Sequence, residues 1–82
     1  MRPYFITFRS VTYAQRGERI LKNAGIDCHL RRTPRWMESK GCGYALELEE
    51  PRQAAAVLRE NQLTWQKIYR ILGKDRAEVV EL

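Results

Sequence analysis

An α+β fold, with one antiparallel sheet and two helices packed on a single face of it, is what this sequence predicts. Three observations carry that expectation. Short stretches with apolar residues at every second position alternate with stretches whose apolar residues recur at helical spacing. Capping and breaking residues, Ser10, Gly25, Pro34 and Pro51, fall at the boundaries between them. Finally, 82 residues suffice for one hydrophobic core but not for two, so any activity must reside on a single unit.

The first strand is expected at residues 4–9, Tyr-Phe-Ile-Thr-Phe-Arg, with Tyr4, Ile6 and Phe8 on one face. Ser10 and Thr12 offer caps for a helix from Val11 to Ala24, in which Ala14, Gly17, Ile20, Leu21 and Ala24 form the apolar side and Arg16, Arg19 and Lys22 turn outward. Gly25 stops that helix from the position just past its end. Ile26 to Arg31 alternates again, which points Ile26, Cys28 and Leu30 inward. Thr33-Pro34-Arg35 ends this strand and a loop, Trp36 to Gly43, leads to a third strand with Tyr44, Leu46 and Leu48 on one face. A second helix starts at Pro51, a residue suited to a first turn, and runs through Ala54, Val57 and Leu58 to about Asn61. The last strand lies within Trp65 to Leu72, where Trp65, Ile68, Tyr69 and Ile71 break simple alternation and imply either a bulge or two covered faces. The order βαββαβ is that of a ferredoxin-like sandwich, a four-stranded antiparallel sheet with both helices on one face. Residues 1–72 are expected to form this single domain. Residues 73–82 are expected as a C-terminal tail, whether frayed, briefly helical from Asp75, or docked on a neighbour.

An apolar share of 44% with 30% charged residues is that of a folded soluble domain. No apolar run approaches the roughly 18 residues that span a bilayer, and the apolar stretch at the start breaks off too soon for a signal-peptide core, so a cytoplasmic location without membrane attachment is expected. The formal charge of +5 is uneven, with nine Lys/Arg against three acids in residues 1–42 and six against seven thereafter. Arg31, Arg32, Arg35 and Lys40 cluster around a single Glu38, a pattern suited to an anionic ligand, a nucleic acid, an acidic partner, a depressed thiol pKa nearby or simply a solvated loop.

Two cysteines are too few for a disulfide scaffold. Cys42 stands between Gly41 and Gly43, where absent side chains leave room for a second sulfur or a substrate to approach the thiol. A thiol ordinarily titrates near pH 8.5, and neighbouring cations lower that value, favouring nucleophilic attack or persulfide formation. The plain alternative is an inert surface cysteine in a tight turn. Cys28 reads as a packing residue on the buried side of its strand. A hairpin around the loop brings Leu30 and Arg31 near Tyr44 and sets Cys28 on the order of 10 Å from Cys42, beyond the roughly 7 Å reach of a disulfide. His29, the single histidine, points opposite to Cys28, so the two cannot chelate one metal, and no metal site is expected. There is no Ser/His/Asp set, carboxylate pair, phosphate loop or dinucleotide fingerprint, and no cofactor is expected. RNA recognition would need stacking aromatics on the exposed faces of the first and third strands, which offer Phe5 and Thr7, then Ala45 and Glu47; that platform is poor.

Taken together, Tyr4-Phe5-Ile6-Thr7-Phe8, Ala24-Gly25-Ile26, Thr33-Pro34-Arg35, Ser39, Cys42-Gly43-Tyr44-Ala45-Leu46 and Ile68-Tyr69 resemble a small bacterial domain family labelled as selenium/sulfur carrier-like. The similarity spans about residues 4–72, and its most specific part is Thr-Pro-Arg followed closely by Cys-Gly and an apolar strand. The resemblance implies a carrier rather than a complete enzyme. Cys42 matches the family's Cys-Gly cysteine and would receive sulfur or selenium as a persulfide or selenosulfide. Arg35 and Lys40 are then expected to stabilise its anion, with Thr33, Ser39, Gly41 and Gly43 shaping the loop. Trp36-Met37 and the extra Gly41 depart from the family pattern and alter the spacing between Arg35 and the thiol. The implied partners are a cysteine desulfurase-like donor and an acceptor enzyme. Two rival readings stand beside this one: an interaction or regulatory module, homodimeric through its sheet face or edge, and an anion- or RNA-binding surface at Arg31, Arg32 and Arg35.

Overall fold

A computed structural model of the chain describes residues 3–34 and 43–82. In chain order the elements are β1 (Tyr4–Thr7), α1 (Val11–Asn23), β2 (Cys28–Arg32), β3 (Tyr44–Leu48), α2 (Pro51–Glu60), β4 (Ile68–Gly73) and β5 (Arg76–Val80). The strands form one sheet in the order β2-β3-β1-β4-β5, and every neighbouring pair is antiparallel.

The local signals act as anticipated. The Ser10 hydroxyl accepts a hydrogen bond from the Tyr13 amide, capping α1. Gly25, just past the helix, takes φ +80°, a conformation that a side chain would strain. Pro51 occupies the first turn of α2, and the Asn61 side-chain amide donates to the Val57 carbonyl at its far end. Of the apolar side predicted for α1, Ala14, Gly17 and Leu21 are buried, whereas Ala24 serves as the exposed C-cap. Gly17 marks the closest approach of α1 to the sheet, since a Cβ there would lie 3.0 Å from Phe8 Cζ and 3.2 Å from Leu46 Cδ1.

One buried cluster joins Ala14 and Leu21 of α1, Ala54 and Leu58 of α2, and Ile6, Cys28, Leu46, Leu48 and Ile68 from the strands. These strand residues share one face by alternation, so both helices cover the same side. Phe5 and Ala45 begin a smaller cluster on the opposite side, with Tyr69, Ile71 and Ala77 against it.

Two expectations are corrected. The sheet has five strands rather than four, because Arg76–Val80, within the stretch expected as a tail, pairs with β4 across a turn in which Asp75 takes φ +58°. Its partly buried residues, Ala77 and Val80, fall on opposite faces, so no hydrophobic alternation announces this strand. The irregular apolar spacing before it has two sources: Trp65 precedes β4, and the β4–β5 register shifts between Ile71 and Gly73. The second correction concerns the β2–β3 hairpin, in which Arg32, not Leu30 or Arg31, lies opposite Tyr44. The Thr33 amide donates to the Gly43 carbonyl at 2.8 Å, extending the hairpin by one further pair.

Candidate functional site

In the sequence the cysteine-bearing segment falls between β2 and β3. Arg35, Ser39, Lys40, Gly41 and Cys42 lie outside the described residues; Thr33 and Gly43, which bracket them, are described. Thr33 is 7% exposed, and its amide bond to Gly43 closes the base of the hairpin. Gly43 holds φ +78°, which favours glycine and fixes the direction in which the chain enters β3. The residue bonded to this fixed glycine is Cys42.

Directly above the base, the Arg32 guanidinium lies 5.6 Å from the centre of the Tyr44 ring, and its Nη1 is 3.5 Å from the Tyr44 hydroxyl. A cation held against an aromatic face is a modest but oriented charge. Because Tyr44 is two residues from Cys42, their Cα atoms are at most about 7.6 Å apart on chain geometry alone. Arg32 stood in the sequence only as a member of the basic cluster, and its pairing with Tyr44 was not anticipated. The signal that finds them is the strand register, which seats Arg32 opposite Tyr44.

Arg31 is exposed and, by alternation, lies on the other side of the sheet from Arg32, opposite Ala45. The two described members of the basic cluster, Arg31 and Arg32, therefore lie on opposite faces of the sheet. His29 is exposed opposite Glu47, on the helix-free side with Arg31.

Cys28 is 1% exposed, with Sγ 4.0 Å from the Glu18 carbonyl oxygen, and it belongs to the main core. Its place opposite Leu48 puts it at the far end of the hairpin from Arg32 and Tyr44. Such burial withholds a thiol from reagents and partners.

The RNA-platform reading needs correction in its premise. Phe5 is 7% exposed and Ala45 is fully buried, so the central strands do not present them as open stacking surfaces. Tyr69 stands opposite Phe5 and with Ile71 and Ala77 covers it. Among the described residues there is no group of three or more His, Cys, Asp or Glu side chains placed to hold a metal, and no helix long and apolar enough to cross a membrane.

A five-stranded α+β domain that carries a cysteine on a glycine-flanked loop between two core-packed strands defines the class of molecule to which this chain conforms. The family model for "Putative Se/S carrier protein-like" matches residues 3–70, and the chain belongs to that family. No curated protein and no solved structure matches it.

Proposed function

We propose that the chain carries sulfur or selenium on Cys42, using a ferredoxin-like scaffold extended by β5. Family membership across residues 3–70 is the observation that carries this reading. It is supported by the clamped hairpin base, where the Thr33–Gly43 bond and the positive φ of Gly43 give a loop thiol a rigid point of attachment. The thiolate of Cys42 attacks the outer sulfur of a persulfide on a cysteine desulfurase-like donor. A bond forms between the Cys42 sulfur and that outer sulfur, the donor's S–S bond breaks, and the donor cysteine leaves as thiolate, with no net oxidation. Attack on the same outer atom by an acceptor enzyme's nucleophile completes delivery; a donated selenium would make a selenosulfide by the same bookkeeping. Arg35 and Lys40 stabilise the anion, while Thr33, Ser39, Gly41 and Gly43 set the loop. The reaction calls for no metal and no cofactor on this chain, and a reducing cytoplasmic setting suits it.

The test is incubation with a desulfurase and cysteine, followed by peptide mass measurement. The peptide containing Cys42 gains one sulfur, and the peptide containing Cys28 gains none. Equal labelling of a Cys42→Ser protein would remove the proposal.

A further inference from the structure

The β4–β5 hairpin differs from the rest of the molecule in what it leaves uncovered. Among the described residues four large hydrophobic side chains are exposed, and three of them, Leu72, Val79 and Leu82, belong to this hairpin or the residues just after it. Val79 is 48% exposed on the side of the sheet that also bears Phe5, Tyr69, Ile71 and Ala77. β5 is the outermost of the described strands on its side of the sheet, so one edge of its backbone lacks a strand partner among them. Edge strands usually guard against pairing with lysine, proline or inward charge. β5, Arg-Ala-Glu-Val-Val, contains no lysine and no proline.

We infer that β5 is a self-association edge, on which a second copy of this chain pairs antiparallel about a two-fold axis at Ala77. The charge pattern selects both the partner and the register. With Ala77 opposite the partner's Ala77, Arg76 falls opposite the partner's Glu78 and Glu78 opposite the partner's Arg76, two opposite-charge cross-strand pairs made by symmetry. Centring the axis on Arg76 or on Glu78 instead sets like charges against each other. Centring it on Val79 leaves Glu78 facing the partner's Val80. Arg70 already pairs with Glu78 inside one copy, so each carboxylate would sit between two guanidinium groups. On the opposite side of the sheet, Ala77 and Val79 carry the apolar strip of Phe5, Tyr69 and Ile71 towards the same strip of the second copy.

The other outer strand does not offer this. β2 reads Cys-His-Leu-Arg-Arg and holds no acid; self-pairing about Leu30 would set His29 against Arg31. Its basic residues guard that edge, which leaves the cysteine-bearing hairpin at the outside of the assembled sheet.

Sedimentation of the full chain over a concentration series to about 1 mM tests the inference, because a pairing of only a few residues makes a weak, concentration-dependent dimer. The work is done with Cys42→Ser so that loop thiols cannot cross-link. A monomer–dimer equilibrium is expected, weakened on the order of tenfold by Arg76→Glu, which opposes two carboxylates at both pairs. The register is tested with Ala77→Cys and Val79→Cys, each added to Cys42→Ser. Ala77→Cys places its sulfurs within disulfide reach across the axis. Val79→Cys separates them by four residues, about 13 Å, so it should link at least tenfold more slowly. A protein monomeric at every concentration, a dimer indifferent to Arg76→Glu, or equal linking rates for the two cysteine variants would each overturn it.

Discussion

The two hairpins at opposite sides of this sheet are built on different principles. In the β2–β3 hairpin one face of each strand is sunk into the core: Cys28, Leu46 and Leu48 are essentially inaccessible, and α1 packs over both strands. The Thr33–Gly43 hydrogen bond brackets the residues that join its two strands. The β4–β5 hairpin has a tight turn at Lys74 and Asp75 and strong pairing between its strands, yet beyond Ile68 none of its side chains is fully buried. The first hairpin obtains rigidity from packing, which holds Thr33 and Gly43 in place. The second obtains its order from backbone pairing, and leaves apolar and charged side chains available to another molecule.

The sharpest way to break this contrast is to truncate one apolar residue in each hairpin and compare unfolding in urea. Leu48→Ala removes a fully buried side chain from the main core and should cost about 2–5 kcal/mol. Val79→Ala, measured at a concentration low enough to hold the chain monomeric, should cost under about 1 kcal/mol, because half the side chain already meets solvent. Equal losses would show that the hairpins share one core and would end the distinction. Gly17→Val probes the same core from the helix, where the added methyl groups meet Phe8 and Leu46; a loss of about 2 kcal/mol is expected.

The asymmetry also explains how much of the molecule could be read from the chain. α1, α2 and the inward positions Ile6, Phe8, Cys28, Leu46 and Leu48 were legible because burial on one face imposes a period on the sequence. β5 was not, because its two partly buried residues, Ala77 and Val80, fall on opposite faces and impose no period of two, and the φ of Asp75 that makes the turn is not written in residue type alone. Of the candidate site, the bracket of Thr33 and Gly43 was legible from proline and glycine. The pairing of Arg32 with Tyr44 depends on a strand register that a one-residue change in hairpin closure reverses. Phe5 read as an open-face aromatic because its cover, Tyr69 and Ile71, comes from a strand whose register the sequence left undecided.

The turns sharpen the comparison at smaller energies. Gly43→Ala forces a side chain into a positive φ at the base of the loop and should destabilise the protein by about 1 kcal/mol in the same urea experiment. Asp75→Gly meets a position with similar φ where aspartate is already tolerated, and should change stability by no more than about 0.5 kcal/mol. A Gly43→Ala protein as stable as the parent would mean that the hairpin base does not constrain the residue before it.

The smallest effect belongs to the ion pair on the outer hairpin. Arg70 and Glu78 are each nearly half exposed and linked across β4 and β5. Water screens the attraction, and holding two long side chains in place costs entropy, so Arg70→Ala should cost at most about 0.5 kcal/mol in dilute solution. Under conditions where a second copy pairs along β5, the same substitution removes one of the two cations around each Glu78 and should weaken association as well. A stability loss of several kcal/mol from Arg70→Ala in dilute protein would show that the hairpin leans on this pair rather than on its backbone ladder, and the division drawn between the two hairpins would fail.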